Sequence, residues 1–202
     1  MGLFQPHERH RRRLRQAALT AFETRTLRWR PLTGSGLEHV RIYHWNSGVK
    51  IFGTLIGETD ETPFGLSYEI NLALDWSFEA LLVQTDTGTM EHLRRDPDGD
   101  WHGWRDPLPE LAACTDIDLS GSPLTNTLPI RRVTDWQVGI PRHFSMAYVD
   151  LPRLSFRPHR QIYTWLGENR YRYQNADESF SADLTVDDAG FVVDYPPLFK
   201  RA

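Results

Sequence analysis

Between residues 66 and 74 apolar and polar side chains alternate without a break. Leu66, Tyr68, Ile70, Leu72 and Leu74 fall on one side, Ser67, Glu69, Asn71 and Ala73 on the other. Successive strand residues face opposite sides of a sheet, so this pattern predicts a strand with one covered and one polar face, as in antiparallel sheet. Phe180, Ala182, Leu184 and Val186 repeat it against Ser179, Ser181, Asp183 and Thr185. Shorter runs of the same kind predict strands at Leu37–Trp45, Val49–Gly57, Phe78–Asp86, Thr89–Arg94, Cys114–Leu119, Phe144–Leu151, Phe156–Leu166, Arg170–Asn175 and Phe191–Tyr195. Turn-forming clusters separate them, among them Asn46-Ser47-Gly48, Asp86-Thr87-Gly88 and Asp187-Asp188-Ala189-Gly190. With no wide composition break and no regular repeat, one continuous sheet system is the economical reading of a mostly β chain.

Two stretches depart from this alternation. In residues 8–23, Leu14, Ala18 and Phe22 recur at helical spacing with Leu19 beside them, which predicts a helix with one apolar face. In the middle, Ser122 can cap and Pro123 can open a helix running through Leu124, Thr125, Asn126, Thr127 and Leu128. Pro129 is expected to end or kink it, because proline lacks the amide donor and crowds the preceding turn. The chain thus reads as a helical extension over residues 1–24 followed by one β domain over residues 25–202.

Charge and composition narrow the function classes. The formal net charge is −4, and residues 1–15 hold five arginines against the single acid Glu8, so the β domain carries the acidic excess. That argues against nucleic-acid binding by the domain. A solvated extension or one touching an anionic surface are both open for the basic head. No apolar run is long enough to span a membrane, the stretch after the basic head is too short for a secretory signal, and the lone Cys114 cannot form an intrachain disulfide. A cytoplasmic protein is the expectation.

Enzyme signatures are absent or broken. Gly53/Gly57 and Gly99/Gly103 enclose Leu55 and Trp101 where a nucleophile elbow needs serine. Asp96-Pro97-Asp98-Gly99-Asp100 opens like a calcium loop, but its twelfth position is Pro107, so a turn is expected. His7-Glu8-Arg9-His10 is one residue short of the zinc-protease spacing. Asp116 and Asp118 share a strand face as two metal ligands would, or as a solvated or salt-bridged face would; Ile117 and Leu119 are assigned to the core. Neither a metal nor a cofactor is expected. Glu38 shares its face with Val40 and Ile42, so it points inward with them. A buried carboxylate is costly without partners. Either it forms a structural ion pair, with Arg131 and Arg132 as candidate partners, or it is a polar ligand-contacting group in a cavity.

Several stretches together resemble the glycolipid-binding family of bacterial proteins. They are Trp29-Arg30 with Gly36-Leu37-Glu38-His39, then Cys114 to Asp118 running into Ser122-Pro123-Leu124-Thr125-Asn126-Thr127-Leu128-Pro129-Ile130-Arg131-Arg132. Ala147-Tyr148-Val149, Arg157-Pro158, Gln161-Ile162-Tyr163, Tyr171-Arg172-Tyr173 and the ending Asp194-Tyr195-Pro196-Pro197-Leu198-Phe199 follow in order. The resemblance implies a spiral β-roll, a long antiparallel sheet curled around a single central helix. It also implies likeness to lipid-carrier folds whose sheets enclose acyl chains.

The resulting expectation is a noncatalytic binder of an amphiphile, a glycolipid or fatty-acyl compound. Glu38, Asn126, Arg131 and Arg132 would meet a polar head, and Trp29, Tyr148 and Tyr163 would stack or form walls. The alternatives are a homodimeric assembly module without a ligand, and a hydrolase of glycolipids or sugar esters. The last would need an acid or base beside Glu38.

Overall fold

The computed structural model describes residues 23–59 and 62–202, so the helix expected over residues 8–23 lies outside the described residues apart from Glu23, which begins a strand. In chain order the strands are β1 (Glu23–Pro31), β2 (Leu37–Trp45), β3 (Gly48–Thr59), β4 (Thr62–Leu72), β5 (Phe78–Thr85), β6 (Met90–Arg95) and β7 (Trp101–His102). After a 3₁₀ turn at Pro109–Leu111 come β8 (Asp116–Leu119), the short helix α1 (Thr127–Arg132), β9 (Pro141–Asp150), β10 (Ser155–Gly167), β11 (Arg170–Asn175), β12 (Ser181–Val186), β13 (Val192–Tyr195) and β14 (Phe199–Arg201). All join one sheet in the order β7-β6-β5-β4-β3-β2-β1-β14-β13-β12-β11-β10-β9-β8. Every pair is antiparallel except β8 with β9, which run parallel. The seam is β1 against β14, which joins the two ends of the described chain.

The alternation read from the sequence sets the faces. Leu66, Tyr68, Ile70 and Leu72 are all buried on β4, but Leu74 lies past the strand and is exposed. The core falls into two contiguous clusters. The larger joins β1–β6 to Ile117, Leu119, Ala147 and Val149, and takes in Leu124 and Leu128. The smaller gathers Ile130 with Tyr163, Tyr171, Tyr173, Leu184 and Tyr195. The Leu124–Ile130 segment therefore bridges the two, which is why its apolar side chains carry almost no exposure despite lying off the sheet.

That segment differs from expectation in its details. Residues 123–126 form turns, with Thr127 and Leu128 donating three residues back, and α1 begins only at Thr127. Pro129 falls inside α1 rather than ending it. Its ring occupies the first turn, where the missing amide would have had no intrahelical acceptor. Ser122 is not the cap; Asn126 is, and its side chain is committed elsewhere. Of the two readings of Asp116 and Asp118, the salt-bridged face is the one found: Asp116 is buried and pairs with Arg132, Asp118 is half-buried, and Ile117 and Leu119 lie in the core as expected. The two-stranded neighbourhood of β8 is covered from above by the α1 segment and flanked by β9. β1, β7 and β14 were missed because their residues do not alternate cleanly or span too few positions.

Candidate functional site

Glu38 sits on β2 with Val40 and Ile42 and is only 3% exposed. Its cross-strand neighbours are Trp29 on β1 and Leu55 on β3. The partner that makes this burial tolerable comes from β4. Tyr68 stands opposite Gly53, and a Cβ on Gly53 would lie 1.9 Å from the Tyr68 ring. Glycine there leaves the space over which the ring lies, and the Tyr68 hydroxyl donates to Glu38 Oε1 at 2.6 Å. Oε2 has no hydrogen-bond partner. Burial raises the Glu38 pKa to about 7, against the opposing pull of the Ser122 and Tyr68 hydroxyls. Tyr68 is held well above its ordinary value by burial and by the neighbouring carboxylate.

A second inward carboxylate, Asp118, lies at the C-terminal end of β8 beside Tyr148. It accepts from Gln161 Nε2 at 2.6 Å and from Thr125 Oγ1 at 3.0 Å. Burial raises its pKa, and these two bonds, with His159 and Arg157 nearby, oppose the rise. Burial likewise lowers the pKa of His159. Arg157 lies over the Tyr148 ring at 4.3 Å, and His159 meets the same ring edge-on.

The two carboxylates line adjoining cavities. The first, about 220 Å³, is walled by Trp29, Leu55, Phe64, Leu151 and Phe199 around Glu38. The second, about 290 Å³, presents Asp118, Asn126, Tyr148, Arg157, His159 and Asn175. Ser120, Gly121 and Phe199 border both. Gly121 has a φ of +80°, a conformation open mainly to glycine, and this turn carries the chain from β8 between the cavities.

The expected site residues do not form one cluster. Trp29 and Glu38 line the first cavity; Trp29 is buried and donates through Nε1 to the Val192 carbonyl at 2.8 Å. Asn126 and Tyr148 line the second. Tyr163 lies beneath it, fully buried, accepting from Asn126 Nδ2 at 2.8 Å. Arg131 and Arg132 stand apart, on a third cavity lined also by Trp76, Trp136 and Asp187. The expected ion pair of Glu38 with these arginines is replaced by the Tyr68 bond. Arg131 instead lies 4.0 Å over the Trp76 ring and donates to the Ala189 carbonyl, while Arg132 pairs with the fully buried Asp116. Strand direction explains this: α1 carries its two arginines away from the β8–α1 turn that faces Glu38.

Tyr68, Gly53, Ser122, Arg157 and His159 are not among the site residues expected from the sequence. Two signals pointed to the first pair: a tyrosine on the inward face of the clearest strand, and a glycine in the middle of its neighbour. Asp96 caps its own turn, accepting from the amides of Asp98 and Asp100 and from His102. Among the described residues no cluster of three or more histidine, cysteine or acidic side chains is placed to hold a metal ion. None of the helices among the described residues is long and apolar enough to cross a membrane.

Residues 26–201 match the family described as "Putative glycolipid-binding". The chain belongs to this family. A solved structure, a DUF1089 family protein from Pseudomonas aeruginosa, is similar at 32% identity with a TM-score of 0.73, covering 82% of this chain and 92% of that one. No curated protein matches the chain.

Proposed function

We propose that this member of the glycolipid-binding family is a noncatalytic binding protein for a single small amphiphile. The observation that carries the reading is the pair of adjoining cavities sharing Ser120, Gly121 and Phe199, the first setting Glu38 among Trp29, Leu55, Phe64 and Leu151, the second gathering Asp118, Asn126, Arg157, His159 and Asn175 beside further rings. A hydroxyl-rich head fits among Asp118, Asn126, Tyr148 and His159, and an apolar portion fits against Trp29, Leu55 and Phe64. Together the cavities fall within the roughly 300–1,000 Å³ typical of small-molecule sites, which favours one compact ligand. In this reading the long sheet rolls around the Leu124–Ile130 segment, so that segment forms the floor between the cavities. Arg131 and Arg132 then hold the roll together and do not touch the ligand.

Native mass spectrometry of protein purified from its own host tests this. A glycolipid or other amphiphile that co-purifies under gentle conditions and is lost on denaturation supports the reading. A clean apo mass, with no amphiphile retained or rebound, overturns it.

A hydrolase reading is favoured by one observation, the Glu38 pKa near 7 together with a second, half-buried carboxylate of raised pKa, Asp118, on the adjoining cavity. Turnover of a sugar ester or glycoside, lost in Glu38→Gln, would establish it. A homodimer is favoured by Leu37, Phe52 and Ile56, which are exposed on the outer face of β2 and β3. Sedimentation at graded concentration decides that point.

A further inference from the structure

The first cavity has a charge pattern that the amphiphile reading does not use. Among the described residues its lining includes two carboxylates, Glu38 and Glu58, and no lysine, arginine or histidine. Glu58 is exposed and accepts the Ser35 amide at 3.1 Å. Glu38 is buried, and its Oε2 is left without a hydrogen-bond donor. Three aromatic side chains, Trp29, Phe64 and Phe199, share the same wall. An aromatic face attracts a cation, and a buried carboxylate whose one direct hydrogen bond comes from Tyr68 would be stabilised by a cation beside it. Arg201 lies 5.9 Å from the Trp29 ring, and its charge is matched by Asp187 at 2.8 Å.

We infer that the first cavity selects an amphiphile bearing a protonated amine, whose ammonium group sits beside Glu38 and against the aromatic wall. This rests on the amphiphile reading and alters one part of it: the portion of the ligand held against Trp29 and Phe64 carries a charged amine. An anionic head is disfavoured in the same place by both carboxylates. The neighbour facing Glu38 from β4 is Tyr68; from β1, β3 and the β8–α1 turn it meets Trp29, Leu55 and Ser122, none of which titrates near neutral pH. Among the described residues Glu58 is the other charged group on the cavity. The ammonium requires the carboxylate form, so below the Glu38 titration each binding event expels one proton to solvent.

Isothermal titration of the whole chain with decylamine, decan-1-ol and decanoate tests this, each ligand below its micelle threshold. Runs at about pH 6 and about pH 8 bracket the Glu38 titration near about 7. Decylamine is expected to bind about tenfold or more tighter than the alcohol and to gain about tenfold from the lower to the higher pH. At the lower pH its heat should change with the ionisation enthalpy of the buffer, reporting the expelled proton. Glu38→Gln, checked for folding by its melt, should lose the amine preference and the proton signal, while Glu58→Gln should lose less. If the alcohol or decanoate binds as tightly as the amine, or the amine affinity is flat with pH, the inference fails and the amphiphile reading stands. If none of the three binds, both fail.

Discussion

Glu38→Gln should make the protein more stable at high pH, by an amount the structure sets. The carboxyl titrates at about 7 in the fold against 4.5 for an unperturbed glutamate. Between those values the folded state holds a proton that the unfolded chain releases, so stability falls as pH rises. The contribution is fully present below the unfolded pKa and is gone once pH passes the folded one. At about 1.4 kcal/mol per unit, the gap amounts to about 3 kcal/mol. Glutamine keeps an oxygen for the Tyr68 hydroxyl and never ionises, so its stability lacks this slope. Asp116 and Asp118 also have raised pKa values and add slopes of the same sign, but they are common to both proteins and cancel in the difference. Urea unfolding of both proteins at several pH values from about 5 to about 8 measures that difference. The variant should gain on the parent by about 3 kcal/mol across the range. A difference that stays constant would refute the argument, because it would mean that Glu38 is solvated or charged throughout.

Further outcomes follow from the same contacts. Gly53→Ala places a methyl inside the Tyr68 ring's position, so it should cost about 1–3 kcal/mol by thermal melt and push the Glu38 titration upward as the Tyr68 bond is lost. Arg132→Ala leaves the buried Asp116 charge without its cation and should cost about 3 kcal/mol in chemical unfolding. Trp29→Phe removes one donor from the Val192 carbonyl, but Arg201 still donates there at 2.6 Å, so the hydrogen-bond loss should stay near about 1 kcal/mol. Arg131→Ala should lower the melting temperature through the lost Trp76 and Ala189 contacts, while leaving amphiphile affinity unchanged. Weakened binding at an undiminished melting temperature would place Arg131 at the site.

How much could be read along the chain depended on whether the determining contact was local. Alternation is local, so β4 and β12 were legible residue by residue, and the inward direction of Glu38 followed from Val40 and Ile42 alone. The β8–α1 stretch was legible as an exception, but its form was not. Pro129 was expected to end or kink the helix, and only the late start at Thr127 makes it harmless. Asp116 and Asp118 share one face as expected, but Asp116 is fully buried against Arg132 while Asp118 opens on the second cavity, because cover comes from segments elsewhere in the chain.

The partners of the inward polar groups were the least legible part. Glu38 meets Tyr68 because Gly53 lies between them on the intervening strand. Asn126 meets Tyr163 across more than thirty residues of chain, and Arg132 finds Asp116 after the chain has turned back over β8. The sequence by itself determined which side chains face inward, since that depends on strand period and on the cost of exposing apolar groups. Tertiary structure alone decided which of those polar groups meet and where space remains between them. Burial forces each to find a partner, but the choice of partner depends on strand register and on the order of strands in the sheet, neither of which is encoded in any single segment.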